Sequence, residues 1–460
     1  YRNESMTEIL RPDVCVLGGG IAGLAAATAA AALGAKVVVV EKRALVSLGP
    51  TMAAHAFCAA AHDLHRAARL GAAPWIDLGR LRARLKEIEA HFAREVAPAR
   101  LAAMNIKIVR AAGSFVGPTR LEAGGFAIDA GHFVVVTGAT PTFPAIAGLD
   151  LLHLLDPQEL LASENLPKRL LLIGANFDEL ALAQALLRFG VQVALVAPGR
   201  ILPDEDEELI APVLRQLVGE GLAIHENAEI LRIGPQRAGA CVVLGPDAAA
   251  IEGSHLMLAA APQPCVEGLG LKAAQVAYSI DGIKADAEGK TSNPRIRAIG
   301  SVAGAHTSAI LARHQGERVA VVLFGRPSDV APPVARVLET DPEMAVVGLT
   351  ENAARALGKS IRVLRGPFSE NAWAQAGFGP QGHVKIVTDS HGLILGAGIV
   401  GPQARELIGI FSLAIAKRAT TADFEAIAST AATLTQACRT AALASAPQLG
   451  KAWLRSRLIR

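Results

Sequence analysis

The chain has 460 residues, more than one compact core accommodates, and 51% of them are hydrophobic while only 4% are aromatic. Its cores must therefore be built from Ala, Val, Leu and Ile in two or three domains. The formal charge of +3, from 45 basic and 42 acidic residues without a basic run, excludes a nucleic-acid footprint and points to small-molecule partners.

The first periodic unit opens with the apolar run Asp13–Leu17, passes a glycine turn, continues as an Ala-rich helix over Ile21–Leu33 and ends in a strand over Ala35–Val40. This is a β-α-β unit. Between strand and helix, Gly18-Gly19-Gly20-Ile21-Ala22-Gly23 satisfies G-x-G-x-x-G, and Glu41 stands at the end of the next strand, where a ribose hydroxyl acceptor is expected. Gly18 permits the tight turn, Gly20 admits a pyrophosphate and Gly23 allows close packing, while the helix N-terminus offers N–H groups to the anion. Dinucleotide binding is the reading favoured over a bare structural turn.

A second unit follows, with a strand at Leu170–Ile173, a helix to about Phe189 and a strand at Val191–Val196. The apolar runs Phe133–Thr137 and Arg297–Gly300 read as further strands whose ends gather ligand. From about Ala331 the texture changes. Pro332-Pro333 breaks the chain, strands are expected at Lys385–Val387 and Leu393–Val400, and a helix near Ala404–Arg418.

Glu41 with Leu48-Gly49-Pro50-Thr51, the run Val135-Val136-Thr137-Gly138-Ala139-Thr140-Pro141, and Thr291–Pro294 leading to Ala298-Ile299-Gly300 resemble the flavin domain of the pyridine nucleotide-disulfide oxidoreductases. That family includes glutathione reductase, dihydrolipoamide dehydrogenase and mercuric reductase. Thr340–Glu343, Val347–Glu351 and Gly396–Gly401 resemble its interface domain. The resemblance spans nearly the whole chain and implies an α/β fold of two Rossmann-like domains plus a C-terminal α+β dimerisation domain. An FAD-binding domain is expected over 1–150 and 270–330, a degenerate NAD(P)-binding-like domain over 151–269 and the interface domain over 331–460. FAD is the implied cofactor, with contacts expected from Gly18, Gly20, Ile21, Ala22, Gly23, Glu41, Lys42, Thr51, Gly113, Thr137, Gly138, Gly300 and Ser301. A homodimer is implied, and pairing with an active sibling is the variant of it.

The family's thiol chemistry has no counterpart at the matching positions. Its motif Gly-Gly-Thr-Cys-x4-Cys aligns with Gly49-Pro50-Thr51, which places Met52 and Phe57 at the two cysteines and Ala61 at the flavin-facing lysine. Neither Met52 nor Phe57 forms a thiolate. The lysine's partner glutamate aligns with Ala181, so both halves of that ion pair are gone together. Cys58 is adjacent to Phe57, and it reads as a buried structural thiol, with a single-cysteine redox role as the alternative.

The second glycine motif aligns with Gly174-Ala175-Asn176-Phe177-Asp178-Glu179, so Asn176 and Glu179 replace two of its glycines, and Ala197-Pro198 stands where a ribose acid is expected. NAD(P)H docking in the usual pose is disfavoured. The alternative has Asn176 in a left-handed turn and Glu179 facing solvent.

The family's His-Pro-Thr-x-x-Glu, which supplies an acid/base, aligns with Ala431–Gln436, and its flavin-side aspartate aligns with Ser301. His306, His314 and His383 show no convergence in the sequence; a replacement acid/base is the minority reading. No metal site is expected.

Cys15, Cys58, Cys241, Cys265 and Cys438 are scattered and show no C-x-x-C, so they read as reduced. With no apolar spanning run and no signal-like core before Met6, a cytoplasmic protein is expected, and the basic tail around Lys451, Arg455, Arg457 and Arg460 reads as solvated. Two function classes remain: an FAD-binding family member without thiol-disulfide activity that acts as a structural or regulatory partner, and a flavin oxidoreductase with a non-disulfide substrate and no cysteine relay.

Overall fold

The structure, a computed structural model, describes residues 8–73, 75–236, 239–245, 250–259, 261–304, 308–325, 333–428 and 431–444. Met6, His306, Pro332 and the basic tail lie outside the described residues. The chain divides into two compact units.

One unit spans Tyr1–Ala56, Asp77–Pro144 and Ala260–Ala331. Its centre is a parallel five-stranded sheet in the order Ile296–Ala298, His132–Val135, Val14–Leu17, Val37–Val40, Ile106–Val109. The strands are continuous apolar runs because both faces are covered. Their two-residue period divides them. Val14, Val16, Val37 and Val39 join the core under the Ile21–Ala32 helix, whereas Cys15, Leu17, Val38 and Val40 join a second core with Phe115, Leu121 and Ile128. The latter three come from a small four-stranded sheet in the order Glu8–Leu10, Phe126–Ile128, Arg120–Ala123, Gly113–Gly117.

Alanine and glycine decide how the helices pack here. The Ile21–Ala32 helix lies against the Ala309–Phe324 helix so closely that a Cβ on Gly316 would sit 2.2 Å from the Ala22 carbonyl oxygen.

The other unit spans Phe57–Ile76, Ala145–Ala259 and Pro332–Arg460. It holds a parallel four-stranded sheet in the order Ala223–His225, Gln192–Val196, Arg169–Ile173, His255–Leu258, with the Phe177–Arg188 helix following Arg169–Ile173 along the chain. It also holds a five-stranded antiparallel sheet in the order Arg336–Leu338, Glu343–Gly348, Ile394–Gly401, His383–Asp389, Ile361–Pro367. The Ala404–Ala416 and Thr435–Leu443 helices bury Phe411, Cys438 and Ala441 in the core of that sheet. The architecture is α/β with two Rossmann-like sheets and a C-terminal α+β domain, as expected.

Several edges differ from the sequence expectation. The strand expected over Phe133–Thr137 stops at Val135, and that expected over Arg297–Gly300 is Ile296–Ala298. Both stop for one reason: Gly138 and Gly300 take φ of +73°, which turns the backbone out of the sheet.

Candidate functional site

Four loops leave the carboxyl ends of neighbouring parallel strands in the first unit. Leu17 pairs with Val40 on one side and Val135 on the other, and Val135 pairs with Ala298, so Gly18, Glu41, Thr137 and Gly300 follow from one edge of one sheet. Open α/β sheets bind ligands along this edge.

The three glycines of the first motif differ in what demands them. Gly18 has φ of +122° and a Cβ there would lie 2.3 Å from the Val136 oxygen, while a Cβ on Gly23 would lie 2.0 Å from the Gly18 oxygen. The fold itself requires both. Gly20 has an ordinary φ of −79°, and a Cβ on it would meet nothing within 4 Å. Neither conformation nor packing requires glycine there, and the space beside it at the helix N-terminus is open.

That N-terminus is open. Gly20 provides no side-chain cap, the first turn holds no acid, and the first helical bond runs from Leu24 N–H to the Gly20 oxygen at 2.9 Å. The amides of Ile21, Ala22 and Gly23 precede it and point at that space. Glu41 is fixed alongside. Its Oε2 accepts from Gly19 N–H at 2.6 Å and its Oε1 from Arg43 N–H at 2.7 Å, which sets an acid beside the glycine turn. An anion with a ribose attached, as in FAD, fits these groups.

The other expected contacts are placed as follows. Thr137 Oγ1 donates to the Cys265 oxygen at 2.8 Å, and Cys265 N–H donates to the Gly138 oxygen at 3.0 Å, which ties the two loops together. Gly300 N–H donates to Gln315 Oε1 at 3.0 Å, and Ser301 is half-buried in the turn Gly300–Ala303. Thr51 is half-buried in the first turn of the Gly49–Arg69 helix. Lys42 is exposed and lines an open cavity with Thr140, Cys265 and Tyr278. Gly113 is accounted for by packing, because a Cβ there would lie 2.8 Å from Leu17 Cδ1 and 3.0 Å from Val40 Cγ1.

The second motif closes differently. Gly174 keeps the left-handed turn at φ of +68°, but Asn176 Oδ1 accepts from Asp178 N–H at 3.0 Å and from Glu179 N–H at 3.4 Å. Glu179 Oε2 returns the favour to Asn176 N–H at 3.3 Å. This is a capping box, and it consumes the amides that a pyrophosphate would need. The alternative of a left-handed Asn176 and a solvent-facing Glu179 is corrected: Asn176 is extended, with φ of −112°, and Glu179 is half-buried. Burial pushes the Glu179 carboxyl up to about 7, against the pull of the amides that it faces.

On the Gly49–Arg69 helix, Phe57 is buried and meets the Phe189 ring edge-on at 4.9 Å. Cys58 is buried beside it. Burial, reinforced by the Glu339 charge, pushes its thiol up to about 12. Ala61 and Ala181 are both buried. Thr433, within the stretch aligned to the family's acid/base motif, has a buried hydroxyl without a hydrogen-bond partner among the described residues. His314 lies on the Ala309–Phe324 helix, and His383 lies 3.8 Å from Glu208.

Two polar clusters were not foreseen. Lys385, 3% exposed, is held by Asp206 and Glu351 at 2.9 Å each and by Glu208. The buried Arg188 guanidinium binds Glu220 at 2.7 Å, Asp341 at 3.1 Å and the His62 ring. A lysine inside the apolar strand His383–Asp389 was the signal for the first cluster; the second joins residues too far apart in sequence to leave one.

Among the described residues no group of His, Cys, Asp and Glu is arranged to hold a metal, and no helix is long and apolar enough to cross a membrane. A family model described as pyridine nucleotide-disulphide oxidoreductase matches residues 12–316, and that family's dimerisation domain matches 334–442. Dihydrolipoyl dehydrogenase of Thermus scotoductus is 33% identical over 89% of this chain and 92% of its own. The Pseudomonas aeruginosa dihydrolipoyl dehydrogenase is 31% identical over 95% and 98%. Among solved structures, LpdA from Mycobacterium tuberculosis superposes with a TM-score of 0.81 at 26% identity, over 94% of this chain and 98% of that one. The HOCl-induced flavoprotein disulfide reductase RclA from Escherichia coli shares the fold, with a TM-score of 0.79 at 22% identity over 95% and 100%. The chain belongs to the pyridine nucleotide-disulphide oxidoreductase family, whose flavoprotein disulfide reductases bind FAD.

Proposed function

We propose that this chain is a homodimeric FAD-binding protein that no longer performs thiol-disulfide exchange and acts as a structural or regulatory partner, including as the companion of an active sibling. The observation that carries this reading is the single cysteine of the Gly49–Arg69 helix: Cys58 is 6% exposed with its thiol pushed up to about 12. A neutral buried thiol is no nucleophile, and Met52 and Phe57 hold the positions of the family's pair.

In this proposal FAD lies along the first sheet edge. The amides of Ile21, Ala22 and Gly23, beside Gly18 and Gly20, would hold its pyrophosphate, and Glu41 would accept from its ribose. Lys42, Thr51, Thr137, Gly138, Gly300 and Ser301 complete the lining, with Gly113 shaping it from behind. The domains are then 1–150 with 270–330 for FAD, 151–269 for the degenerate nucleotide fold and 331–460 for the interface. The self-capped Phe177–Arg188 helix supports loss of NAD(P)H docking. Five free cysteines support a reducing, cytoplasmic setting.

The open first helix also favours a second reading, a flavin oxidoreductase with a non-disulfide substrate, because bound FAD would supply redox chemistry without a cysteine relay. The test is a visible spectrum of purified protein followed by assays with lipoamide, glutathione disulfide and Hg(II). A yellow protein with no turnover is expected. Turnover of any of the three contradicts the loss of thiol chemistry, and a colourless protein that takes up no FAD contradicts the cofactor assignment.

A further inference from the structure

The last two turns of the Gly49–Arg69 helix carry His62, His65, Arg66 and Arg69. Their spacing sets them on one face, and that face lines a cavity of about 490 Å³ within the second unit. The volume lies in the range of small-molecule sites.

The acids in its wall are already answered. Asp341 accepts from Arg188 Nη2 at 3.1 Å, and Glu343 Oε1 accepts from Arg405 Nε at 2.7 Å. His62 is spent as well: its Nδ1 faces Arg188, its Nε2 faces the Glu339 oxygen at 3.0 Å, and burial holds the ring below the ordinary imidazole range. It forms neutral wall.

Arg69 and His65 are different. Neither makes a hydrogen bond or ion pair with any described residue, although His65 lies close enough to Glu220 to help hold that carboxyl low. Arg69 is exposed, and its guanidinium lies beside Gly379, where a Cβ would come within 3.8 Å of Nη2. The side-chain amides of Gln381 and Gln403, in the same wall, are likewise without hydrogen bonds to described residues. The cavity thus combines an exposed guanidinium that has no partner among the described residues with the unbonded amides of Gln381 and Gln403, and its carboxylates are paired with Arg188 and Arg405.

We propose that this cavity binds a small organic oxyanion, a molecule bearing phosphate or carboxylate groups, anchored by Arg69. The planar guanidinium offers two parallel N–H donors to such a group, and His65 with the Gln381 and Gln403 amides orients the remainder. A basic residue in the last helical turn also favours the helix dipole; that role alone predicts no ligand.

The experiment uses the full chain saturated with FAD, titrated by calorimetry with pyrophosphate and with citrate at low ionic strength, against sodium chloride of matched ionic strength. Saturable binding of at least one probe at one site per chain is expected, with no chloride effect. Pyrophosphate alone identifies a phosphate ligand, and citrate alone a carboxylate ligand. Arg69→Glu should weaken binding at least about tenfold while flavin absorbance per chain is unchanged. His65→Glu, on the same wall, should do the same and replaces Arg69→Glu if that variant melts. Absence of saturable binding, or equal affinity in wild type and both variants, overturns the site. The flavin absorbance is read independently, so failure here leaves the cofactor assignment standing, and the reverse.

Discussion

Asn176 and Glu179 cap each other: the Asn176 side chain accepts from the Glu179 amide at 3.4 Å, and the Glu179 carboxylate accepts from the Asn176 amide at 3.3 Å. The pair stabilises a helix start that in a nucleotide-binding domain waits for a ligand. Asn176→Ala removes two accepted bonds and is expected to cost about 1 kcal/mol, read as a lower denaturation midpoint in urea. An unchanged midpoint contradicts a structural cap.

The same carboxylate sets a pH dependence. Burial holds Glu179 up at about 7 in the folded chain, against 4.5 for an ordinary glutamate. Between those values the folded state binds more protons than the unfolded state, so this group's contribution falls as pH rises from about 4.5 to about 7 and is flat above. Stability of the wild type relative to Glu179→Gln should decline across that window. A difference that is constant with pH, or grows in favour of the wild type, refutes it.

Gly20→Leu separates ligand from fold. Its backbone is ordinary and its surroundings are empty, so the variant should fold with unchanged circular dichroism and lose its flavin. Full flavin occupancy would remove Gly20 from the pyrophosphate cradle.

Lys385 is buried among Asp206, Glu208 and Glu351. Lys385→Met strands the buried Asp206, while Glu208 keeps Arg365 and Glu351 keeps Arg355, and the expected loss is roughly 3–5 kcal/mol in denaturant unfolding. A loss within experimental error would show that the strand His383–Asp389 does not depend on this cluster.

Thiol labelling of the native protein should spare Cys15, Cys58 and Cys438, all buried, with the Cys58 and Cys438 thiols each pushed up to about 12. Mass spectrometry after brief alkylation at neutral pH measures it. Rapid labelling of Cys58 would support the single-cysteine redox alternative.

The first sheet edge was legible in sequence because its determinants are local. Gly18 and Gly23 are forced by contacts within a few residues or with the adjoining strand, and Glu41 ends the very next strand. The valine runs showed a doubly covered sheet for the same reason. The conformation of Gly174–Glu179 was not legible: Asn176 can sit left-handed or cap a helix, and the hydrogen bonds from Asp178 and Glu179 decide it. At Gly113 the sequence does not show the packing demand: a Cβ there would meet Leu17 and Val40 in the core. The clusters around Lys385 and Arg188 join segments more than 30 residues apart; the lysine inside an apolar strand marks the first, but charge spacing along the chain does not name its partners and carries no trace of the second.

The most direct measurement is anaerobic rapid mixing of the FAD-loaded protein with excess NADH and, separately, NADPH while flavin absorbance is followed. With Asn176 and Glu179 occupying the second helix start and Ala197 offering no ribose acceptor, the flavin should stay oxidised over seconds. Full bleaching within milliseconds would contradict the closed second site and place the chain among active flavin oxidoreductases.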